Sequence, residues 1–154
     1  MQHPIHTPAF WQGIRTIAIV GAKDKPHSDV DRVGRYLIAA GFTVIPVHPA
    51  RKEVWGLPAY PTLLEVQEQV DMVNLFRAPQ YCLDHAQEVL RMSNRPKVFW
   101  MQLGISNSAV PPLLTPHSIV VVENRCSMVV HAEATGGRAA PHGAFAIDAM
   151  KKPS

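Results

Sequence analysis

The chain has 154 residues, 47% of them apolar and 18% charged; that is the size and composition of one domain with its own core, and it excludes a chain disordered throughout. Fifteen Lys and Arg against twelve Asp and Glu leave a net charge of +3, with no run of five like charges, so a nucleic-acid-binding tail is not expected. No apolar run approaches the roughly 18–20 residues of a membrane span, no basic-then-apolar leader opens the chain, and two cysteines are too few for a disulfide scaffold; the expectation is a cytoplasmic protein without nucleic-acid or membrane partners.

In chain order, the first apolar segment is TIAIV at 16–20. A helix follows, with Val30, Val33, Leu37 and Ile38 on one face, Ser28-x-x-Asp31 as a capping box and Gly41 just past its end. FTVIPV at 42–47 is the second strand, and Leu63, Leu64 and Val66 suggest a short helix after it. VDMVNLF at 70–76 is the third strand. Pro79 opens a helix that puts Cys82, Ala86, Val89 and Leu90 on one face and ends before Pro96. VFWMQ at 98–102 comes next, then a short helix over 106–110 stopped by Pro111 and Pro112, then IVVV at 119–122. Near-continuous apolar strands alternating with helices predict a Rossmann-like, doubly wound α/β fold: a mostly parallel sheet of five or six strands with helices on both faces. Residues 1–134 form that domain. Residues 135–154, rich in Gly, Ala, Pro and Lys, read as a flexible or loosely docked tail.

In such a sheet, ligands bind beyond the carboxyl ends of the strands. The first strand runs into Gly21-Ala22-Lys23-Asp24-Lys25, just before the first long helix. Gly21 permits a sharp turn and close approach of an anion, the helix start offers free N–H groups, and Lys23, Lys25 and Arg32 add positive charge. The same residues also fit a tight turn with no ligand. Gly34 costs that helix roughly 1 kcal/mol against alanine, so either the sheet or a ligand packs closely there. The loop lacks the three-glycine dinucleotide fingerprint and the Walker loop. The second strand ends in Val47-His48-Pro49-Ala50-Arg51-Lys52, basic where NAD needs an acid. That corner suits a phosphorylated ribose, as in NADP or coenzyme A, or is simply a solvated loop.

IAIVGAKDKP at 17–26, RVGRYLIAAGFTVIPVHP at 32–49, GLPAYP at 56–61, VDMVNLFRAP at 70–79, WMQLG at 100–104 and Asn124-Arg125-Cys126 together resemble the small stand-alone CoA-binding proteins. These share the fold of the CoA-binding domain of the succinyl-CoA synthetase alpha subunit. The resemblance spans roughly residues 15–131. It implies coenzyme A as the cofactor, with the pyrophosphate at Gly21-Ala22-Lys23 and the adenosine end at Val47, His48 and Pro49. The pantetheine arm would lie between the Phe76-Arg77 turn and the turn of Gln102 and Gly104. It also implies an edge strand within 54–60 and a strand order similar to 3-2-1-4-5-6. The chain departs from the family's Asp-Arg-Cys-x-Lys-x-Glu-His ending at Asn124, Met128 and Val130, and from its Val-Asn-Pro corner at His48.

Cys126, beside Arg125 at the ligand edge, is either a reactive thiol near the CoA sulfur or a packed, inert cysteine. Cys82 is expected on the sheet flank, away from the ligand. Cys82-x-x-His85 has no second ligand pair for a metal, and no nucleophile–base set or carboxylate pair stands out. Phe76, Trp100 and Tyr36 read as core more than as ligand stackers. The expected function is non-catalytic binding of CoA or an acyl-CoA. The alternative is an NADP-dependent oxidoreductase or another nucleotide-binding Rossmann protein.

Overall fold

The computed structural model describes residues 4–137. A 3-10 turn at Pro4–His6 leads into α1, Pro8–Gln12, capped by Thr7 Oγ1 accepting from Phe10 N. Strand β1 is Thr16–Val20, helix α2 Asp29–Ala39 and β2 Thr43–Val47. The two-residue strands β3, Glu53–Val54, and β4, Leu57–Pro58, form a hairpin. After a 3-10 turn at Leu63–Glu65 come β5, Met72–Leu75, α3, Cys82–Arg91, β6, Val98–Met101, α4, Val110–Leu114, β7, Val120–Val122, and α5, Ser127–Thr135.

The main sheet has five strands in the order β2-β1-β5-β6-β7, every pair parallel. Alternate residues of each strand feed separate cores. Ile17, Ile19, Met72 and Trp100 face α1, α2 and α5. Ala18, Val20, Val73 and Phe99 face α3 and α4. The Rossmann-like, doubly wound expectation therefore holds, with both faces buried as the unbroken apolar strands require. The expected sixth strand shrinks to one residue, Tyr60, bridged to Val47. Its N–H donates to Pro46 O and its carbonyl accepts from His48 N. Pro46 has no N–H to offer on that side, so the ladder cannot extend.

Two local expectations are corrected, and one helix was not anticipated. Ser28 Oγ accepts from Asp31 N, but Asp31 does not reciprocate; its Oδ1 accepts from Arg35 Nε and Trp55 Nε1, both at 2.9 Å. Only half of the capping box forms. Pro111 and Pro112 do not stop a helix; they lie in the first turn of α4, where missing N–H groups cost nothing. Helix α5 carries the chain beyond the strands with no visible period, because its buried face includes the polar Ser127 and His131. The expected tail lies outside the described residues from 138 onward.

Gly34 is crowded by neither the sheet nor a ligand. A Cβ there would sit 2.2 Å from the Trp55 indole, which is held by its bond to Asp31 and by Trp55 N donating to Asp24 Oδ2 at 3.3 Å. The β3–β4 hairpin is thereby clamped onto α2. Gly34→Ala is expected to lower stability by up to about 2 kcal/mol, since overpacking against the indole at about 1–3 kcal/mol offsets the roughly 1 kcal/mol of helix propensity gained. Urea unfolding checks this; a midpoint at or above the parent's would contradict it.

His131 is fully buried against Trp11 and Phe42, with Nδ1 2.7 Å from the Tyr36 hydroxyl and Nε2 unpartnered. Burial lowers its pKa from 6.5 to about 4. The unfolded chain takes up a proton near 6.5 and the folded chain does not. Stability from this site is therefore full above 6.5 and falls by about 3 kcal/mol as the pH drops to 4. Urea titrations at pH 7 and pH 4.5 should show a steeper loss in the parent than in His131→Phe; equal losses would contradict the assignment.

Candidate functional site

Because all five strands run parallel, their carboxyl ends deliver Gly21, His48, Phe76, Gln102 and Glu123 to one edge. The connections leaving β1 and β5 go to opposite faces, α2 to one and α3 to the other. The crevice between them is the switch point where α/β sheets bind ligands. A cleft of about 470 Å³ opens there, lined by Gly21, Lys23, His48, Phe76, Arg77 and Gln102 and by the start of α2. A smaller cleft of about 220 Å³ lies on the α3 side. Val47 and Pro49 line it, and Gly21 and Arg77 belong to both.

Gly21 has φ +84°, and a Cβ on it would meet Phe76 O at 2.5 Å. The turn therefore needs glycine for the fold as well as for any ligand. The N–H groups of Gly21 and Ala22 both donate to Val47 O, at 3.0 and 3.2 Å, and Ala22 is fully buried. Neither amide is free for an anion, contrary to the reading of this loop as a pyrophosphate cradle. What remains there is the Lys23 side chain and the α2 start, where Ser28, Asp29 and Val30 line the cleft.

His48 Nδ1 accepts from Ala50 N at 3.0 Å and Arg51 N at 3.2 Å. These two donors place the imidazole proton on Nε2. Partial burial, then the charges of Arg51, Arg77 and Lys23, lower its pKa below 6.5. His48 thus folds its own corner as an asparagine side chain would in an Asx turn. Arg77 lays its guanidinium over the Tyr81 ring, 4.3 Å from the centroid, which fixes it on the wall between the two clefts.

Other expected residues lie apart from the larger cleft. Arg32 pairs with Asp29 on the exposed side of α2. Lys25 is exposed, and its carbonyl accepts from Ser28 N and Oγ. Arg51 is held 3.0 Å from Asp24, joining the loops after β1 and β2. Gly104, at φ +86°, donates its N–H to Asn124 Oδ1 at 2.7 Å. Cys126 precedes α5, half-buried against the α2-side core near Tyr36, whose phenol is pushed up to about 12 by burial and, second, by that cysteine. Cys82 is in the first turn of α3, near the ligand edge and not on a remote flank; it is fully buried, and burial pushes its thiol up to about 11. His85 pairs with Glu88 at 3.0 Å, and among the described residues no group of three or more His, Cys, Asp or Glu could hold a metal. Among the described residues no helix is long and apolar enough to cross a membrane.

Sequence reading missed Asn74 and Ser127, both fully buried beneath the cleft and bonded to each other and to Gln102. A lone amide inside the apolar run VDMVNLF was the available signal, since a buried polar side chain requires a partner. The role of His48 in its loop is open to test. His48→Asn is expected to keep the parent's thermal midpoint, because Asn Oδ1 can accept from the same two N–H groups. His48→Ala should lower stability by about 1 kcal/mol; equal behaviour of the two variants would contradict the assignment.

The CoA binding domain family matches residues 15–132. YneT, an uncharacterised protein of Bacillus subtilis, is 33% identical over 121 residues, covering 79% of this chain and 88% of its own. A Thermus thermophilus protein of solved structure is 37% identical with a TM-score of 0.77, covering 82% of this chain and 94% of that one. A dinucleotide-forming acetyl-coenzyme A synthetase from Ca. Korarchaeum cryptofilum shares the fold, with 19% identity and a TM-score of 0.61 over 76% of this chain and 26% of that one.

Proposed function

The chain belongs to the CoA binding domain family, and on that premise we propose that it binds coenzyme A or an acyl-CoA along the carboxyl edge of its sheet without transforming it. The observation that carries this reading is the cationic surroundings of His48 in the cleft, where burial first, and then the charges of Arg51, Arg77 and Lys23, lower its pKa. Of these, Lys23 and Arg77 line the cleft with His48, and neither has a carboxylate partner among the described residues. Such a field favours an anion with several charges, as a pyrophosphate has. The adenosine end then lies toward Val47 and Pro49, and the pantetheine arm runs past Phe76 toward Gln102.

The use of the polar groups supports binding without chemistry. The lone pair that would make His48 a base, on Nδ1, is already taken by two backbone N–H groups. Ser28 Oγ caps α2, and Cys126 is outside the cleft lining. Among the described residues that line the cleft, no nucleophile has a base beside it.

Thermal shift with CoA, acetyl-CoA, NADP and NAD side by side tests the reading. CoA at ten times its Kd should add about 1.4 kcal/mol of stability. A shift with NADP and none with CoA would favour a dinucleotide enzyme instead. Lys23→Gln and Arg77→Gln are each expected to weaken CoA binding tenfold or more, the scale of one charge-assisted hydrogen bond at about 1.5–3 kcal/mol. Arg95→Gln, which removes an exposed cation bonded to Leu90 O ahead of β6 and away from the cleft, should leave the affinity unchanged. Titration calorimetry reads all three, and equal losses would mean a diffuse charge effect.

A further inference from the structure

Beneath the far end of the cleft lies a buried polar network joining β5, β6 and α5. Gln102 is 4% exposed, and Asn74 and Ser127 are fully buried. Gln102 Oε1 accepts from Asn74 Nδ2 at 3.2 Å and from the backbone N–H of Ser127 at 3.3 Å. Ser127 Oγ donates to Asn74 Oδ1 at 2.6 Å. The backbone N–H can only donate, so the side of the Gln102 amide that faces it must be the oxygen. The other side, Nε2, is thereby fixed as a donor.

That Nε2 has no hydrogen-bond partner among the described residues, yet it is not one of the sealed, unsatisfied atoms. Gln102 lines the large cleft, so the amide's remaining access is into it. Asn74 from β5 and Ser127 from α5 therefore hold the Gln102 amide with its N–H side toward the cleft. A donor held in a fixed direction at the cleft wall can exchange water for a ligand oxygen without first being ordered.

We propose that Gln102 selects a pantetheine-bearing ligand over a bare nucleotide, its Nε2 donating to an amide carbonyl of the pantetheine arm. This deepens the coenzyme reading above and rests on it. The acceptor follows from distance. Gln102 follows β6, two strands from β1, hence about 10 Å from the Lys23 and Gly21 end of the cleft at about 4.8 Å per strand. The arm is built of amide-linked units one carbon longer than an α-amino-acid residue, so each spans about 5 Å when extended. Its two amide carbonyls thus fall within about 10 Å of the pyrophosphate, and the sulfur falls beyond. Gln102 reads what every CoA thioester has in common with the free thiol. Asn74 and Ser127 are positioning residues for that donor.

The experiment compares CoA with adenosine 3′-phosphate 5′-diphosphate, which keeps the pyrophosphate and lacks the arm. In calorimetry, Gln102→Met should lose tenfold or more in affinity for CoA and nothing for the nucleotide. Gln102→Glu keeps an acceptor for Ser127 N and Asn74, so the network survives if the methionine variant folds poorly. Its second oxygen repels a carbonyl when ionised and donates to it when protonated. The preference of Gln102→Glu for CoA over the nucleotide should therefore be low at pH 7.5 and recover toward the parent's at pH 5. The nucleotide's terminal phosphate loses a proton between pH 5 and 7.5 and the coenzyme's diphosphate diester does not, so the variant's preference is divided by the parent's at each pH, where that difference and the charges of Lys23, His48 and Arg77 cancel. Equal losses for both compounds, or an unchanged preference in both variants, would overturn the role of Gln102 and leave the coenzyme reading intact. A parent that binds neither compound overturns both.

Discussion

The contact on which the site depends is the approach of Gly21 to the Phe76 carbonyl. β1 and β5 are neighbours in the sheet, and their connections leave toward opposite faces. At the carboxyl edge the two chains must part while remaining packed. Gly21 allows this with φ +84° and no side chain, in a space where a Cβ would meet Phe76 O at 2.5 Å. The same contact is the floor between the two clefts. Any side chain there, at a φ that L residues rarely adopt, strains the fold before a ligand is considered.

Around that floor, positive charge and structural bonding divide the work. Backbone amides that resemble an anion cradle, at Gly21 and Ala22, are used to close the β1 turn onto Val47. The loops are tied by Asp24, which takes Arg51 through one oxygen and Trp55 N through the other. What is left for a ligand is the start of α2 and side-chain chemistry: Lys23, Arg77, Nε2–H of His48 and the amide of Gln102. This arrangement suits a ligand with a charged centre and a long neutral arm, because cations cluster at one end and a neutral donor stands at the other.

Five apolar runs were legible as five strands, and Ser28 and Gly41 marked the ends of α2 because caps act within a few residues. What escaped sequence reading was nonlocal. Gly34 is explained by Trp55, a residue 21 positions later whose indole crosses the helix. Helix α1 follows from the docking of Trp11, whose Nε1 donates to Ile5 O while its ring packs on Trp100. Helix α5 lacks a readable period because Ser127 and His131 are polar yet buried. The candidate site was legible in its loops but not in its working groups. Arg32, Lys25 and Arg51 carry the right charge, but their bonding or exposure sets them outside the large cleft, and Gln102 gains its role from Asn74 and Ser127, 28 and 25 residues away in sequence.

The central claim is that an anionic coenzyme lies along the carboxyl edge of the sheet, across the Gly21–Phe76 floor. The most direct measurement is an amide chemical-shift titration of the labelled protein with CoA. The account predicts saturating shifts at Lys23, His48, Arg77 and Gln102, with Gln12, Asp71 and Lys97 at the opposite edge unmoved. Shifts confined to that opposite edge, or none at millimolar CoA, would contradict it.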